Sequence, residues 1–360
     1  MAYISAVITP SVHAHKKVLR KLMEEWLLAS ASALLIVTSI LLKRIPSYEL
    51  SDYEVLYVLF VFLVIVKGLE GSGALSYIVH IFERSGNAGI KFVVLTGILS
   101  IFVTNDIALL IMVPITLHSG IKNKGMAVIM ETLIANSASS ISPFGNPQNI
   151  FIYYHYGISA PQFISSIAPF SMVSTSIILL FSVFSLRSGK AELSHRAETG
   201  KNSWVYGLFF LIFLLSILRM IPLWAGIIAP FYALIWDRKS LKIDYLLIVT
   251  FFVFFGLTDN IQQMISPNIS SSYDVFLYSA LSSQIISNVP SALLFADFTE
   301  KWRALLWGVS VGGFGTMIAS MANLISYRFY RKTGDSGDFL IKFHMLSFLM
   351  LIMGMVLFII

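Results

Sequence analysis

The segment that decides the fold is Ala135–Asn149, with the sequence ANSASSISPFGNPQN. It lies between two apolar runs, Met126–Ile134 and Ile150–Tyr154, that together are long enough to span a bilayer. Its prolines, glycine and short polar side chains break a helix and free backbone amides and carbonyls. At membrane depth such backbone is tolerated only inside protein or beside a wet cavity, as at the binding sites of secondary transporters. The alternative is a loop outside the bilayer between two short helices.

The composition predicts an all-α polytopic membrane protein. Of its 360 residues, 57% are hydrophobic and 12% are charged, whereas a soluble domain has about 25% charged residues. The net charge of +6 does not indicate nucleic acid, because the basic residues lie between apolar runs, where they set membrane orientation. The chain contains no cysteine, which excludes disulfides, thiolate metal sites and cysteine nucleophiles.

Two pairs of short apolar runs predict re-entrant helical hairpins, because each run is too short to cross a bilayer comfortably alone. Each pair flanks a polar tip, Thr104-Asn105-Asp106 in the first and Ser287-Asn288-Val289-Pro290 in the second. Ala74–Phe82 is apolar but short and flanked by charge, so we expect an interfacial helix there. Met1–Glu25 is mixed and basic and lacks the pattern of a signal peptide.

We therefore divide the chain into four parts. The first part is a basic arm and first span (1–49), and the third is a linker loop with two connecting spans (187–241). The second part is a first repeat (50–186), with a hairpin over about 90–117 and a broken helix over about 125–156. The fourth is a second repeat (242–360), with a hairpin over about 275–298 and a broken helix over about 302–330. Each repeat has its hairpin before its broken helix.

An internal repeat relates the two broken helices. A shift of 174 residues pairs Ser142 with Thr316, Gly145 with Ala319, Asn146 with Ser320 and Asn149 with Asn323, and a shift of 183 pairs Asn105 with Asn288. Duplicated halves with interrupted hydrophobic segments in corresponding positions are the best sequence indication of a transporter site.

The distribution of Lys and Arg predicts the orientation. With a cytoplasmic N-terminus and non-crossing hairpins, 20 of the 25 Lys and Arg residues fall on the cytoplasmic side. The others are Lys43, Arg44, Arg219, Lys301 and Arg303. This bias follows the positive-inside rule. Five crossings then separate the hairpins, and because five is odd, the repeats are predicted to have inverted topology and the C-terminus to lie outside.

Asp106 is the strongest candidate for ion coupling. It lies at the first predicted tip, and an ionisable residue at membrane depth is a functional candidate by default. The alternative is that Asn105 and Asp106 only cap the second leg of the hairpin. The second tip has no acid, so the two ion sites are not expected to be equivalent.

The other polar residues of the breaks supply neutral oxygens and amides, which suit Na⁺ or a polar solute better than a soft metal. For each of them alone, helix–helix hydrogen bonding is the alternative. Glu131 is expected either to face the cavity or to pair with Lys122 or Lys124. Gly312–Gly315 is not a nucleotide-binding loop, because no Lys-Ser/Thr follows it. The seven histidines form no cluster with ligand spacing.

The motifs at the two tips and two breaks, above all Pro143-Phe144-Gly145-Asn146-Pro147-Gln148-Asn149, resemble the ion transporter superfamily. Within it they are most similar to the arsenite permease and citrate transporter-like branch, which also holds sodium–dicarboxylate and sodium–proton transporters. The resemblance covers about residues 50–360. It implies a scaffold and a mobile transport subdomain, elevator-type alternating access, and a homodimer. It also implies one half-site at Asn105, Asp106 and Asn146, and a second at Asn288, Thr316, Ser320 and Asn323.

We therefore predict an ion-coupled secondary transporter of a small oxyanion or arsenite-like solute in the plasma membrane, not an enzyme. The expected coupling ion is H⁺ or Na⁺, with no other metal or cofactor, no nucleic acid, and a soluble ATPase partner only if the protein exports arsenite. The alternatives are a Na⁺/H⁺ antiporter, a citrate-like carboxylate transporter, a channel and an intramembrane enzyme using Asp106.

The predicted site residues fall into three groups. Those for ion coupling are Thr104, Asn105, Asp106, Ser287 and Asn288, and those for binding are Ser142, Gly145, Asn146, Asn149, Thr316, Ser320 and Asn323. Those at the breaks are Pro143, Pro147, Pro290 and Gly315.

Overall fold

A computed structural model describes residues 26–74, 88–186, 200, 202–264, 269–333 and 337–360, and its regular elements there are all helical. The predicted basic arm, nearly all of the predicted interfacial helix and most of the linker loop lie outside these residues. The α-helices are α1 Trp26–Leu42, α2 Leu50–Gly71, α3 Ala88–Val103, α4 Asn105–His118, α5 Lys124–Ser139, α6 Pro147–His155, α7 Ala160–Ser185, α8 Ser203–Ile217, α9 Ile228–Trp236, α10 Tyr245–Met264, α11 Ser272–Ile286, α12 Asn288–Ala296, α13 Trp302–Gly312, α14 Met321–Arg331 and α15 Gly337–Ile359. Short 3-10 helices cover Leu223–Ile227, Arg238–Leu241 and Met317–Ala319.

Within the described residues, three segments are long and apolar enough to cross a membrane. They are Ala160–Ser185, Arg238–Met264 and Asp338–Ile359. Several further helices are apolar but shorter, among them Ala88–Val103 and Asn105–His118. The helical content and these apolar segments agree with the predicted all-α membrane protein.

Two helix pairs, α3 with α4 and α11 with α12, occupy the positions of the predicted hairpins. In each pair a single residue joins the two helices, Thr104 in the first and Ser287 in the second, and the two helices pack against each other. The broken helices are α5 with α6 and α13 with α14, each interrupted by non-α-helical backbone. Both predicted breaks are therefore present.

The two hairpin–break units are packed against each other in corresponding ways. The first hairpin helix of each unit contacts the first half of its own broken helix, α3 with α5 and α11 with α13. The second hairpin helix contacts the second half of the other broken helix, α4 with α14 and α12 with α6. These contacts place the second half of each broken helix against the hairpin of the other unit.

Helix α5 is the central element. Every residue from Ala127 to Ser139 is buried, whereas α7 and α15 expose large apolar side chains such as Met172 and Met345. A helix that is buried all round occupies the middle of a helical assembly. Because burying a polar group costs free energy unless it is hydrogen-bonded, the polar side chains of α5 need partners from other elements.

Candidate functional site

The first break is a compact turn between α5 and α6. The Asn149 Nδ2 group donates hydrogen bonds to the backbone carbonyls of Ser139 (3.3 Å), Ser140 (3.3 Å) and Ser142 (2.8 Å). Asn146 adopts extended backbone, with φ −152° and ψ 148°, and Pro147 begins α6. Proline suits a first helical position because its missing N–H would be unpaired there anyway. The side chain of Asn149 thus replaces the helical hydrogen bonds that the break removes.

The second break repeats this geometry at the predicted shift of 174 residues. Asn323 Nδ2 donates to the carbonyls of Gly313 (3.2 Å) and Thr316 (3.1 Å), the positions that correspond to Ser139 and Ser142. Ser320, which corresponds to Asn146, has φ −145° and ψ 143°. The predicted pairing of Asn149 with Asn323 and of Asn146 with Ser320 therefore corresponds to the same local structure.

Asn136 joins the two breaks, and the sequence analysis did not select it. Its Oδ1 accepts hydrogen bonds from Asn105 Nδ2 (2.9 Å) and Ser320 Oγ (3.1 Å), and its Nδ2 donates to Asn323 Oδ1 (2.8 Å). All four side chains are at most 3% exposed. The first tip, the first broken helix and the second break thus meet at one amide. The available signal was the position of Asn136 as the first polar residue of the Ala135–Asn149 segment.

The two tips share an unusual backbone conformation. Thr104 has φ 81° and Ser287 has φ 75°, a region that non-glycine residues seldom adopt and that is retained where the surroundings over-determine it. The first tip is tied to its break because Asn105 N donates to Gly145 O at 3.1 Å. At the second tip, Ser287 Oγ donates to Ala319 O at 3.5 Å. The first tip is therefore held more firmly.

Asp106 is the second residue of α4, directly beyond the first tip. Its backbone N–H donates to Asn105 Oδ1 at 2.9 Å, and its Oδ1 is buried without a hydrogen-bond partner. The residue that caps α4 is Thr104, whose side chain accepts from Ile107 N. The Asp106 carboxyl does not serve as the cap, so the capping interpretation does not account for it.

In the second predicted half-site, Thr316 is bonded to Gln284 of α11. Thr316 N donates to Gln284 Oε1 and Thr316 Oγ1 donates to Gln284 O, both at 2.9 Å. Gln284 Nε2 donates to the carbonyls of Gly312 (2.8 Å) and Phe314 (3.0 Å). Asn288 is buried but has a side-chain hydrogen bond only with Ser287, at 3.4 Å, within the described residues. Gln284, in the first leg of the hairpin, was missed because it lies in an otherwise ordinary apolar leg.

The predicted break residues have distinct local roles. A Cβ added to Gly145 would overlap the Ser139 backbone, with the Ser139 carbonyl carbon at 2.9 Å. Gly315 has φ 98°, a conformation that glycine adopts without steric cost. Pro143 lies in the segment that joins α5 to α6, and Pro290 lies in the first turn of α12. Gly145 therefore allows a close backbone approach, Gly315 allows a left-handed conformation, and Pro147 starts α6.

Glu131 follows neither of the two interpretations offered for it. It is fully buried, and Thr116 Oγ1 of α4 donates to its Oε1. Its Oε2 has no hydrogen-bond partner. Lys124 instead donates to the Leu117 carbonyl at 2.7 Å. The carboxyl thus lies between α4 and α5 with one oxygen unpaired.

A polar cavity of about 420 Å³ lies at the far ends of α6 and α12, away from the breaks. Its acidic and histidine lining residues are Glu49, Asp52, His155, Asp259, Asp297 and Glu300. Burial raises the pKa of Asp297, which follows α12. Because α6 has nine residues, the cavity is separated from the first break by about 13 Å of helix. No group of three His, Asp or Glu side chains in the described residues is arranged to hold a metal ion.

Residues 21–301 match the citrate transporter family. The chain belongs to this family. It is 31% identical over 306 residues to an uncharacterized transporter of Methanocaldococcus jannaschii, covering 82% of this chain and 86% of that protein. It is 29% identical over 304 residues to the inner membrane protein YbiR of Escherichia coli, covering 77% and 80%. The predicted relationship to the citrate transporter-like branch is confirmed, and the family and relatives indicate a membrane transporter.

Proposed function

We propose that the protein is an ion-coupled secondary active transporter that binds a small, oxygen-rich solute between its two breaks. The observation that carries this proposal is the Asn136 amide, which connects the first tip to the second break through Asn105, Ser320 and Asn323. A solute bound there exchanges hydrogen bonds with both halves at once. Breaks at membrane depth that meet at a buried polar cluster are the arrangement expected of a transporter site.

The chemistry of this cluster favours a small oxyanion or an arsenite-like hydroxide. The groups that meet there are side-chain amides, a hydroxyl and backbone carbonyls. Amide N–H groups bind solute oxygens, and carbonyl oxygens bind solute hydroxyls or a hard cation. A negative solute would need a co-bound H⁺ or Na⁺ to offset the cost of burying charge. Asp106, with its unpaired buried oxygen, is our candidate for holding that ion.

We further propose elevator-type alternating access. In this mechanism the two hairpins and two broken helices move as one unit relative to the remaining helices, with the repeats in inverted topology. The corresponding contacts of α4 with α14 and of α12 with α6 support a single unit. The 420 Å³ cavity beside His155 is the proposed route from the outer face.

A second candidate is a citrate-like carboxylate transporter, which the family description favours. A Na⁺/H⁺ antiporter without an organic solute is a third, and Asp106 would then carry both ions. The three candidates differ in which gradients and solutes must be present together, and one assay separates them.

The test is uptake into proteoliposomes with a solute panel of arsenite, small oxyanions and di- and tricarboxylates, each with and without pH and Na⁺ gradients. We expect one solute class to be accumulated only with a gradient. Asp106→Asn should reduce gradient-driven accumulation at least tenfold while leaving folding intact. Glu70→Gln, which alters an exposed carboxyl paired with Lys67, is the control. Full gradient-driven accumulation by Asp106→Asn would remove Asp106 from the mechanism.

A further inference from the structure

Glu131 is a carboxyl in the protein interior that the proposed solute site does not use. It is 0% exposed and lies on α5, the helix that is buried all round. Thr116 Oγ1 donates to Oε1, and Oε2 has no partner. A buried ionised carboxylate is stable only with compensating partners on its oxygens, and leaving one oxygen unpaired is costly.

No cation of the described residues forms an ion pair that would balance an ionised Glu131 carboxylate. The helices packed against α5 are α3, α4, α7, α14 and α15. Their charged and titratable side chains, together with Lys124 of α5 itself, are Lys91, Asp106, His118, Lys124, Tyr327, Arg328, Tyr330, Arg331, Asp338, Lys342 and His344. Among the described residues the recorded ion pairs do not involve Glu131. The neutral, protonated acid is therefore the favoured form in this conformation.

Glu131 is also well separated from Asp106. Its partner Thr116 lies ten residues beyond Asp106 on the same helix, which corresponds to about 15 Å along the axis. Glu131 itself lies seven residues, or about two turns, after the start of α5 at Lys124. It is thus placed between the Asp106 end of α4 and the loop that joins α4 to α5.

We propose that Glu131 is a second proton-binding site of the transport cycle, separate from Asp106 and loaded with a proton in this conformation. The proton resides on Oε2, while Oε1 accepts from Thr116. When the transporter moves to a conformation in which water reaches the carboxyl, the O–H bond breaks and the proton passes to water, leaving the carboxylate. The proposal rests on proton-coupled transport as the proposed function, and it adds one proton to each cycle.

Infrared spectroscopy of the full-length protein in lipid tests whether the site is loaded, without any transported solute. We expect Glu131→Gln to remove a protonated-carboxyl C=O stretching band at neutral pH and Glu70→Gln to leave that band unchanged. Glutamine keeps the carbonyl that accepts from Thr116, so the variant should fold. The absence of such a band in the unaltered protein, or an undiminished band in Glu131→Gln, would overturn the proposal.

Coupling stoichiometry tests whether the loaded site takes part in transport. Reversal potentials in proteoliposomes should show one proton fewer per solute in Glu131→Gln than in the unaltered protein, with solute exchange at equal concentrations retained. An unchanged stoichiometry would show that Glu131 is only structural. Asp106→Asn distinguishes the two proposals, since normal coupling in that variant removes the role assigned to Asp106 whatever Glu131 does.

Discussion

At the scale of single residues, the site depends on amides that substitute for broken helical hydrogen bonds. Asn149 and Asn323 do this in corresponding positions, and Asn136 connects their neighbourhoods. Removing one member of a buried hydrogen-bonded set leaves its partners unsatisfied, which costs more than the bond itself contributed. We therefore expect the protein to lose stability when the side chain of one of these asparagines is shortened, as well as when it loses its amide.

Asn136→Ala should lower both stability and transport. It leaves Asn105 Nδ2, Ser320 Oγ and Asn323 Oδ1 without this partner, at a cost of about 2–4 kcal/mol in unfolding free energy. Thermal unfolding in detergent measures the loss. Ser165→Ala is the control, because Ser165 is exposed and bonds only locally to the Gln162 carbonyl. A melting temperature for Asn136→Ala equal to that of the control would contradict the bridging role.

Gly145→Ala should be destabilising for a steric reason. The added Cβ meets the backbone of Ser139, and main-chain atoms in a packed turn cannot move aside cheaply, so we expect a loss of about 2 kcal/mol. Gly207→Ala is the matched control, since a Cβ there has no heavy atom within 4 Å. Thermal unfolding should rank Gly145→Ala well below Gly207→Ala, and equal values would show that the turn is not tightly packed.

Much of the residue-level geometry could be predicted. The repeat shift paired Asn149 with Asn323 because the same replacement of backbone hydrogen bonds requires the same residue at the same register. Asn136 and Gln284 could not be predicted in the same way. Their roles depend on which helices lie beside them, and long-range packing leaves no local pattern in one sequence.

At the scale of helices, the second break is attached to its hairpin mainly through Gln284. Its side chain bonds the backbone of Gly312, Phe314 and Thr316, so one residue of α11 fixes the course of the chain between α13 and α14. The helix types followed from their patterns, and α1, Trp26–Leu42, lies within the part of the chain predicted to hold the first span. The start of α11 was less predictable, because it is set by a cap rather than by an apolar run: Ser271 Oγ accepts a hydrogen bond from Asp274 N at 3.4 Å.

Gln284→Ala should loosen the second break without unfolding the protein. The Thr316 amide loses its acceptor, so its hydrogen exchange should become at least tenfold faster by mass spectrometry of peptides covering 312–320. Gln262→Ala, whose exposed side chain donates to the Asp297 carbonyl, serves as the control. Equal protection of these peptides in both variants would show that the break is held by other contacts.

At the scale of the whole molecule, charge and packing support the proposed inverted arrangement in different ways. The Lys and Arg distribution predicts which loops face the cytoplasm, and the corresponding contacts of the two units are what a pseudo-two-fold relation would produce. The orientation stays a prediction, and it rests on the charge of the loops. How the two breaks meet could not be predicted from sequence, because it depends on helix packing between residues that are distant in the chain.

Cysteine labelling provides the test of orientation, and the natural chain has no cysteine to remove. Lys122→Cys follows the first hairpin and Lys301→Cys follows the second. A membrane-impermeant maleimide should label Lys301→Cys in intact cells, and Lys122→Cys only after the membrane is opened. Labelling of both from the same side would refute the inverted topology.

The measurement that tests the central claim most directly is an experimental density map of the protein bound to the solute that the uptake panel identifies. We predict solute density between the two breaks, within hydrogen-bond distance of the Asn105, Asn136 or Asn323 amides. Density confined to the cavity beside His155 and Asp297, with the Asn136 hydrogen bonds intact, would contradict the claim that the breaks form the solute site.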